Sequence, residues 1–406
     1  MNKKMIILLT VLIDVLGIGI IIPVLPFYVK SFGASAFIVT LLFATFSFFS
    51  FFSAPLLGSL SDRIGRRPVL IVSIASTALG WLVFAAATNI YWLFIGRIID
   101  GLAAGNFPIA QSYLVDIAES PREKTTNLGL IGAVFGIGLI VGPALGGVLS
   151  QISLSLPFWF VGGLAAVNMV LAFFKLPETN KHCDREKKIS FNPFQPIRKA
   201  FASANLRPGF AAWFLFGLAL AGQQSVLALY RAGGFGFNSF LISLVMVGTG
   251  VILVFNQALF LKKVWLKHFS EEKLIVYFFF VLFLGFMFMS VFFIFTLLLG
   301  LIFYSFAQST LRVVMTSRIT KKGDPREQGM ILGVLSSVMS LSMIVGPILA
   351  GALFSLEMNL PFGAGAMFSL MALIIIICEK KRKELAAAEI SDEELVIAEQ
   401  KIEFAG

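Results

Sequence analysis

The chain has 406 residues, of which 58% are hydrophobic and only 13% charged, with 44 phenylalanines and a mean hydropathy of +0.91. A soluble domain of this length carries charge on about a quarter of its residues, so the composition excludes a fold surrounded by water and indicates an integral membrane protein. The formal net charge of +10 does not point to nucleic acid, because the lysines and arginines gather in alternate loops between apolar segments, as in loops held on the cytoplasmic side.

The apolar segments have the length of helices and lack the alternation of barrel strands. Hydrophobic windows predict twelve spans at 5–29, 36–58, 68–87, 90–112, 125–150, 157–175, 209–230, 239–261, 273–291, 293–315, 329–353 and 361–379. Met1-Asn2-Lys3-Lys4 and the apolar run to Tyr28 read as the first span and not as a signal peptide, because the run holds Asp14 and has no small-residue cleavage site. With both termini cytoplasmic, the even-numbered loops carry the cations, including Arg122, Lys124, Lys262, Lys263, Lys267, Arg318, Lys321, Lys322 and Arg326. Lys30 and Arg231 are assigned to external loops and Arg97 to the membrane interior.

Taken in order, span 1 carries Asp14 near mid-depth. Spans 2 and 3 are joined by Gly58-Ser-Leu-Ser-Asp62-Arg63-Ile-Gly65-Arg66-Arg67-Pro-Val-Leu70, whose arginines place it in the cytoplasm. Span 4 holds Arg97 and Asp100, three apart and so able to pair on one face, then Asn106 and Gln111, with Asp116 at its end. Span 5 carries Gly138-x-x-x-Gly142-Pro143-x-x-Gly146-Gly147, small residues that allow close helix contact around a bend at proline. The polar stretch 176–208, with Pro193 and Pro196, reads as a linker between an N-terminal bundle of 1–175 and a C-terminal bundle of 209–379, with a tail at 380–406. Span 7 offers Gln223, Gln224 and Ser225, span 8 Gln257, and span 10 Gln308 and Arg312. The tail opens with Lys380-Lys381-Arg382-Lys383, and Ser391-Asp392-Glu393-Glu394 has the spacing of a capping box that starts a short solvated helix. Cys183 and Cys378 give no disulfide framework.

An internal repeat runs through loops and spans in one register. Pro121-Arg122-Glu123 recurs as Pro325-Arg326-Glu327, Leu128-Gly129 as Leu332-Gly333, Ile140-Val141-Gly142-Pro143 as Ile344-Val345-Gly346-Pro347, and Leu156-Pro157-Phe158 as Leu360-Pro361-Phe362, all offset by 204 residues. Two parallel repeats of this kind rock around a site at the midplane.

The Gly58–Leu70 loop resembles the loop signature of the major facilitator superfamily at every defined position, and the span-5 glycines resemble the antiporter signature of its drug:proton antiporter branch. Asp14-x-x-Gly17-Ile18-Gly19-Ile20-Ile21-Ile22-Pro23-Val24-Leu25-Pro26, Ile95-Gly96-Arg97-Ile98 and Leu176-Pro177-Glu178-Thr179 are similar to the tetracycline efflux proteins, strongly in the first half and weakly in the second. The resemblance implies an all-α membrane protein of twelve helices in two six-helix bundles, with spans 1, 4, 7 and 10 lining a central cavity. It also implies a cytoplasmic gate in which Asp62 lies near a helix N-terminus and Arg63, Arg66 and Arg67 reach acidic groups such as Asp116. In the second half that loop has decayed to Lys262 through Lys273, and the tetracycline efflux proteins have membrane Asp residues in spans 3 and 9 where this chain has Gly80 and no acidic residue.

Charges within the spans cost about 3 kcal/mol or more at the bilayer centre when unpaired, so Asp14, Arg97, Asp100 and, less deeply placed, Arg312 are the candidates for proton coupling or substrate contact. Asn106, Gln111, Gln223, Gln224 and Gln308 are further cavity candidates. Against these readings stand a loop that only anchors topology, glycines that only pack, a packing carboxylate at Asp14, a permanent Arg97–Asp100 pair, and glutamines that join helices. The expected function is secondary active transport in the bacterial inner membrane: efflux of a hydrophobic or cationic small molecule by alternating access, with protons as coupling ion and no cofactor, from a monomer in the lipid bilayer. The alternatives are an importer or uniporter of a sugar, amino acid or siderophore, and a transporter-like sensor. Enzyme chemistry is not expected, since His182 and His268 lack partners at metal spacing and no Walker loop is present.

Overall fold

The computed structural model describes residues 3–180, 205–322 and 328–403, with positions 194, 197, 198, 201 and 203 between them. His182, Cys183, Pro193, Pro196 and the repeated Pro325-Arg326-Glu327 lie outside the described residues. Among the described residues twelve helices are long and apolar enough to cross a membrane: Lys3–Lys30, Ala36–Ile64, Arg66–Ala85, Ile90–Asp116, Arg122–Leu149, Leu156–Lys175, Arg207–Phe235, Ser239–His268, Glu271–Ser290, Ile294–Lys322, Met330–Leu356 and Leu360–Arg382. They are called spans 1 to 12 below. Away from water only a helix satisfies its own backbone along such a run. Several starts are fixed by side-chain caps: Asn89 accepts from Tyr91 N, Ser120 from Glu123 N and Asn238 from Leu241 N.

Small residues decide which helices touch. Span 5 lies on span 1 through Gly142, where an added Cβ would stand 2.9 Å from Gly19 Cα, and through Gly138 and Gly146, against Val15 and Ile20. Span 11 lies on span 7 in the same way, with Gly346 against Ala221 and Gly222. The span-5 signature is therefore a packing surface in both halves. Lipid tails are as apolar as leucine, so close backbone approach replaces the hydrophobic effect as the source of helix affinity.

The two bundles meet through spans 5 and 8 and through spans 2 and 11. These contacts crowd toward the end of the molecule opposite the Gly58–Leu70 loop. There Ser150 and Ser239 share a hydrogen bond of 2.8 Å, Gly147 lies against Ser243, and Gly351 lies against Thr40 and Phe37. Toward the loop end, Gly129, Gly132 and Gly333 would meet nothing within 4 Å if given a Cβ. The bundles are closed at the far end and parted at the loop end, leaving a cleft between them.

Three spans depart from the sequence expectation. Span 4, expected as one helix at 90–112, is split into Ile90–Leu102 and Asn106–Asp116. Pro108 has no N–H to donate to Ala104, so the helix opens one turn before it and restarts at Asn106. Span 8 was expected to end at 261 but runs to His268, and its second part, Asn256–Trp265, is a π-helix. Asn256 holds it by donating to Thr310 Oγ1 at 2.9 Å and accepting from Trp265 Nε1 at 2.9 Å. Span 12, expected to stop at 379 before a separate tail helix, continues as one helix, Leu360–Glu403.

Gly142→Leu is expected to force spans 1 and 5 apart and cost about 1–3 kcal/mol, lowering the thermal midpoint of the purified protein by several degrees. Gly132→Ala, with open space around it, should leave the midpoint unchanged or slightly raised.

Candidate functional site

Span 1 is flanked by span 5 at Gly19 and by span 6 at Thr10, whose hydroxyl accepts from Asn168 Nδ2 at 2.8 Å. Its remaining side carries Asp14, Ile18, Ile21 and Leu25. Along this side Asp14 is half-buried and Ile18 is 37% exposed, while Ile21 and Leu25 are buried where the far end closes. Asp14 thus lies on the open part of this side, one turn short of Ile18, beyond which the side is buried.

The break in span 4 supplies its partner. Asn106, first residue of the restarted helix, donates through Nδ2 to Asp14 Oδ1 at 3.0 Å and to Thr77 Oγ1 at 3.0 Å, tying spans 1, 3 and 4 together. Its own Oδ1 is buried without a hydrogen-bond partner. One turn back, Arg97 and Asp100 form an ion pair with Nη1 and Oδ2 3.6 Å apart, both side chains buried. The Arg97 guanidinium also stands over Trp81, Phe84 and Phe46, with its carbon 4.1, 4.8 and 5.7 Å from the ring centres. Each such contact in a desolvated site is worth about 2 kcal/mol, so the rings add to the hold of Asp100 on Arg97. An added Cβ at Gly80 would lie 2.8 Å from Asp100 Cβ and 2.9 Å from Gly96 O. A carboxylate at 80 and one at 100 exclude each other, which accounts for the departure from the tetracycline pattern: the second acidic group stands on span 4.

The opposite wall belongs to span 10. Spans 8 and 9 flank it, at Thr310 through Asn256 and at Gly300 through Gly285. The side left over carries Leu301, Ser305, Gln308 and Arg312. Leu301 and Ser305 are buried, Gln308 is half-buried and Arg312 exposed, so this side opens in step with span 1. Gln111 and Gln224 are half-buried, Gln223 is buried and Gln257 exposed.

Arg231 corrects the sequence reading. Assigned there to an external loop, it lies inside span 7 with no exposure, and among the described residues none of its three guanidinium nitrogens has a hydrogen-bond partner. Helical spacing puts it on the side of Leu220, Gln224 and Leu227, beneath the closed far end. The sequence ends this span at 230, yet the helix continues to Phe235 and ends at Gly236, whose φ of +67° suits a left-handed cap. Thr77, Asn168 and Asn256 were also not singled out, since a lone polar residue in an apolar span carries no sign of its partner.

At the loop end, Arg66 donates from Nε to Asp116 Oδ2 at 3.2 Å, pairs with Asp62 and donates to Ser61 Oγ at 2.7 Å. The carboxylate seated on a helix N-terminus is that of Glu178, which accepts from Arg66 N at 2.9 Å and Arg67 N at 3.0 Å at the start of span 3. That is the position the resemblance suggested for Asp62; here Asp62 closes span 2 beside Arg66. Gly65 allows this seat: its φ is +110°, and a side chain there would strike Glu178. Arg67 donates to Phe173 O at 2.7 Å, and Arg63 makes no ion pair among the described residues. Gly58 O accepts from Ser61 Oγ at 2.7 Å.

The second half has the same tie with its signs inverted. Glu271 at the start of span 9 pairs with Lys321 at the end of span 10 at 2.7 Å, and both offsets from the first-half pair are equal, 271 − 66 = 205 and 321 − 116 = 205. Arg318, assigned from sequence to a loop, is buried in span 10 and pairs at 3.1 Å with Glu379, which also binds Lys322.

A bare guanidinium in a dry interior costs several kcal/mol, so Arg231→Met should raise the thermal midpoint of the purified protein by several degrees. Glu178→Gln weakens a charge-assisted cap of about 1–2 kcal/mol and should lower the midpoint, an effect read in the same melting experiment.

Comparison with known proteins agrees with this geometry. A tetracycline resistance protein of class C from Escherichia coli is 28% identical over 358 residues, covering 87% of this chain and 90% of its own length. The quinolone resistance protein NorA of Staphylococcus aureus (strain MSSA476) is 26% identical over 390 residues, covering 94% and 98%. Among solved structures, the human organic anion transporter MFSD10 superposes with a TM-score of 0.69 at 22% identity, over 92% of this chain and 98% of its own, which speaks for the fold alone. The sequence profile of the Major Facilitator Superfamily matches residues 7–321 and 258–402, and with twelve spans in two bundles around a cleft the chain belongs to that superfamily as a multi-pass transporter of the bacterial inner membrane.

Proposed function

We propose that this protein exports a hydrophobic small molecule bearing a cationic group, in exchange for protons, by alternating access of its two bundles, 1–175 and 209–379, joined by the linker 176–208. The observation that carries the reading is Asp14: a half-buried carboxylate in a membrane span, on the same helix side as the exposed Ile18 and held by one hydrogen bond from Asn106, and so accessible to either a proton or a ligand cation. The relatives named for resistance to tetracycline and to quinolones support export of drug-like compounds.

The cation-rich loop end is cytoplasmic by the positive-inside rule, which puts both termini and the 380–406 tail there and makes this conformation inward-facing. A ligand from the cytoplasm or inner leaflet enters the cleft, meets Asp14 and displaces its proton. The bundles then rock. The Ser150–Ser239, Gly147–Ser243 and Thr40–Gly351 contacts part and the loop ends come together, with Arg66, Asp62, Asp116 and Glu178 keeping the spans of the first bundle in register as a gate. External protons reload Asp14, and each proton entering releases about 2.3 kcal/mol per 100 mV of membrane potential. Arg97 remains in its ring cage, balancing Asp100 and giving the carboxylate side of the cleft a fixed field.

Proteoliposomes with an imposed pH gradient test the proposal. Substrate-dependent proton flux is expected for the native chain and its loss in Asp14→Asn, with binding of the cationic ligand weakened and no longer dependent on pH. Proton flux unchanged in Asp14→Asn would remove Asp14 from the mechanism.

A further inference from the structure

We propose that Arg231 biases the far end of the molecule toward opening: its guanidinium is sealed without a partner while the bundles meet there, and parting of the bundles returns it to water. The inference rests on the reading of two bundles that rock.

The internal repeat shows that packing does not call for a cation at this place. Tyr28 of span 1 lies 5.1 Å from Phe158 and Tyr230 of span 7 lies 4.7 Å from Phe362, ring centre to ring centre, and the two phenylalanines are repeat partners 204 residues apart. The tyrosines therefore hold one place in the two halves, and the residue after each holds the next, Val29 in the first and Arg231 in the second. Val29 is fully covered within the apolar core of the first bundle. Arg231 is as fully covered, yet among the described residues it has no ion pair, and its Nε, Nη1 and Nη2 have no hydrogen-bond partner. A guanidinium keeps its charge at physiological pH, so the cost of taking that charge out of water stands uncompensated.

Its position ties this cost to one conformation. Arg231 is four residues from the end of its helix at Phe235 (235 − 231), about 6 Å along the axis, and so lies just beneath the far end. Leu229, two residues before it, packs against the cores of both bundles, and the turn after the helix leads to Ser239, whose Oγ meets Ser150 Oγ across the seam at 2.8 Å. Spans 1 and 7 touch as well, and with the loop ends parted they do so here. When the bundles part at this end, water enters the seam and reaches the guanidinium; when they meet, it is stripped of water again. A group shifts a two-state equilibrium only by the difference in its free energy between the states. Arg66, Arg97 and Arg318 have their carboxylates within their own bundle, so rocking changes little for them. For Arg231 the difference is the whole cost of desolvation.

Opening of the far end is read from the rate at which a hydrophilic maleimide labels Ser239→Cys in the purified full chain in lipid nanodiscs, with Cys183→Ser and Cys378→Ser as background. Adding Arg231→Met is expected to slow labelling about tenfold, and Arg231→Lys, which keeps a cation, to restore most of the rate, with melting curves showing that all three proteins are folded. Labelling in Arg231→Met as fast as in the background chain overturns the proposal, as does equal slowing by Met and Lys, which assigns the effect to side-chain shape. Exchange of gluconate for chloride at constant ionic strength supplies a further test. Labelling that slows in chloride for the background chain but not for Arg231→Met means that a small anion meets the guanidinium in the closed end, and this too overturns the proposal. Proton-driven flux measured in parallel separates the inference from the export reading. Unchanged labelling in Arg231→Met with flux intact removes the bias and leaves export standing; a background chain that is never labelled at 239 has a far end that does not open, and overturns both.

Discussion

The bilayer gives this chain no water with which to satisfy a polar group, and the rest of the structure follows from that constraint. The backbone must close its own hydrogen bonds, which leaves helices for runs of this length. Helices already surrounded by hydrocarbon gain little by burying more of it, so affinity between them comes from close approach at small residues. That is why glycines mark the close contacts within the bundles, among them Gly19 against Gly142, Gly222 against Gly346, Gly80 against Gly96 and Gly285 against Gly300. Charges admitted to the interior need partners, and nearly all have them: Asp100 with Arg97, Glu379 with Arg318, Asp14 with Asn106.

The break in span 4 is where this constraint is met with the least slack. Opening the helix before Pro108 frees backbone groups at membrane depth, which is tolerated only where they line a cavity or are covered by protein. Here Gly101 packs on Phe46 and Phe49, Gly105 on Leu57, and Ser53 donates to the Gly101 carbonyl at 2.6 Å. The restarted helix then presents Asn106 to Asp14. A local defect in one span thus positions the side chain that orients the carboxylate of another, the pattern by which discontinuous helices build sites at the midplane.

The two halves share a plan but not its charges. Both tie the start of their third helix to the end of their fourth, one through Arg66 and Asp116 and the other through Glu271 and Lys321. The geometry of an ion pair is indifferent to which helix carries which sign, so the tie survives divergence that erases the loop signature. Among the described residues the interior guanidiniums without an ion pair or hydrogen bond, Arg312 and Arg231, both belong to the second bundle, one exposed and one buried.

Span number, the two-bundle repeat and the membrane class could be read from the sequence because they depend on composition and on periods along one chain: twenty-residue apolar runs, a 204-residue offset, cations in alternate loops. The Arg97–Asp100 pair was legible for the same reason, since three residues on a helix fix a neighbour. Contacts between spans were not. Nothing in the chain announces that Asn106 reaches Asp14 over 92 positions, that Glu178 and not Asp62 sits on the span-3 N-terminus, or that Arg231 is sealed within a helix. Those are decided by which helices pack side by side, at what rotation and at what depth. That packing rests on backbone approach at a few glycines and on the far end being closed, properties of the assembled bundles that no local pattern of residues contains.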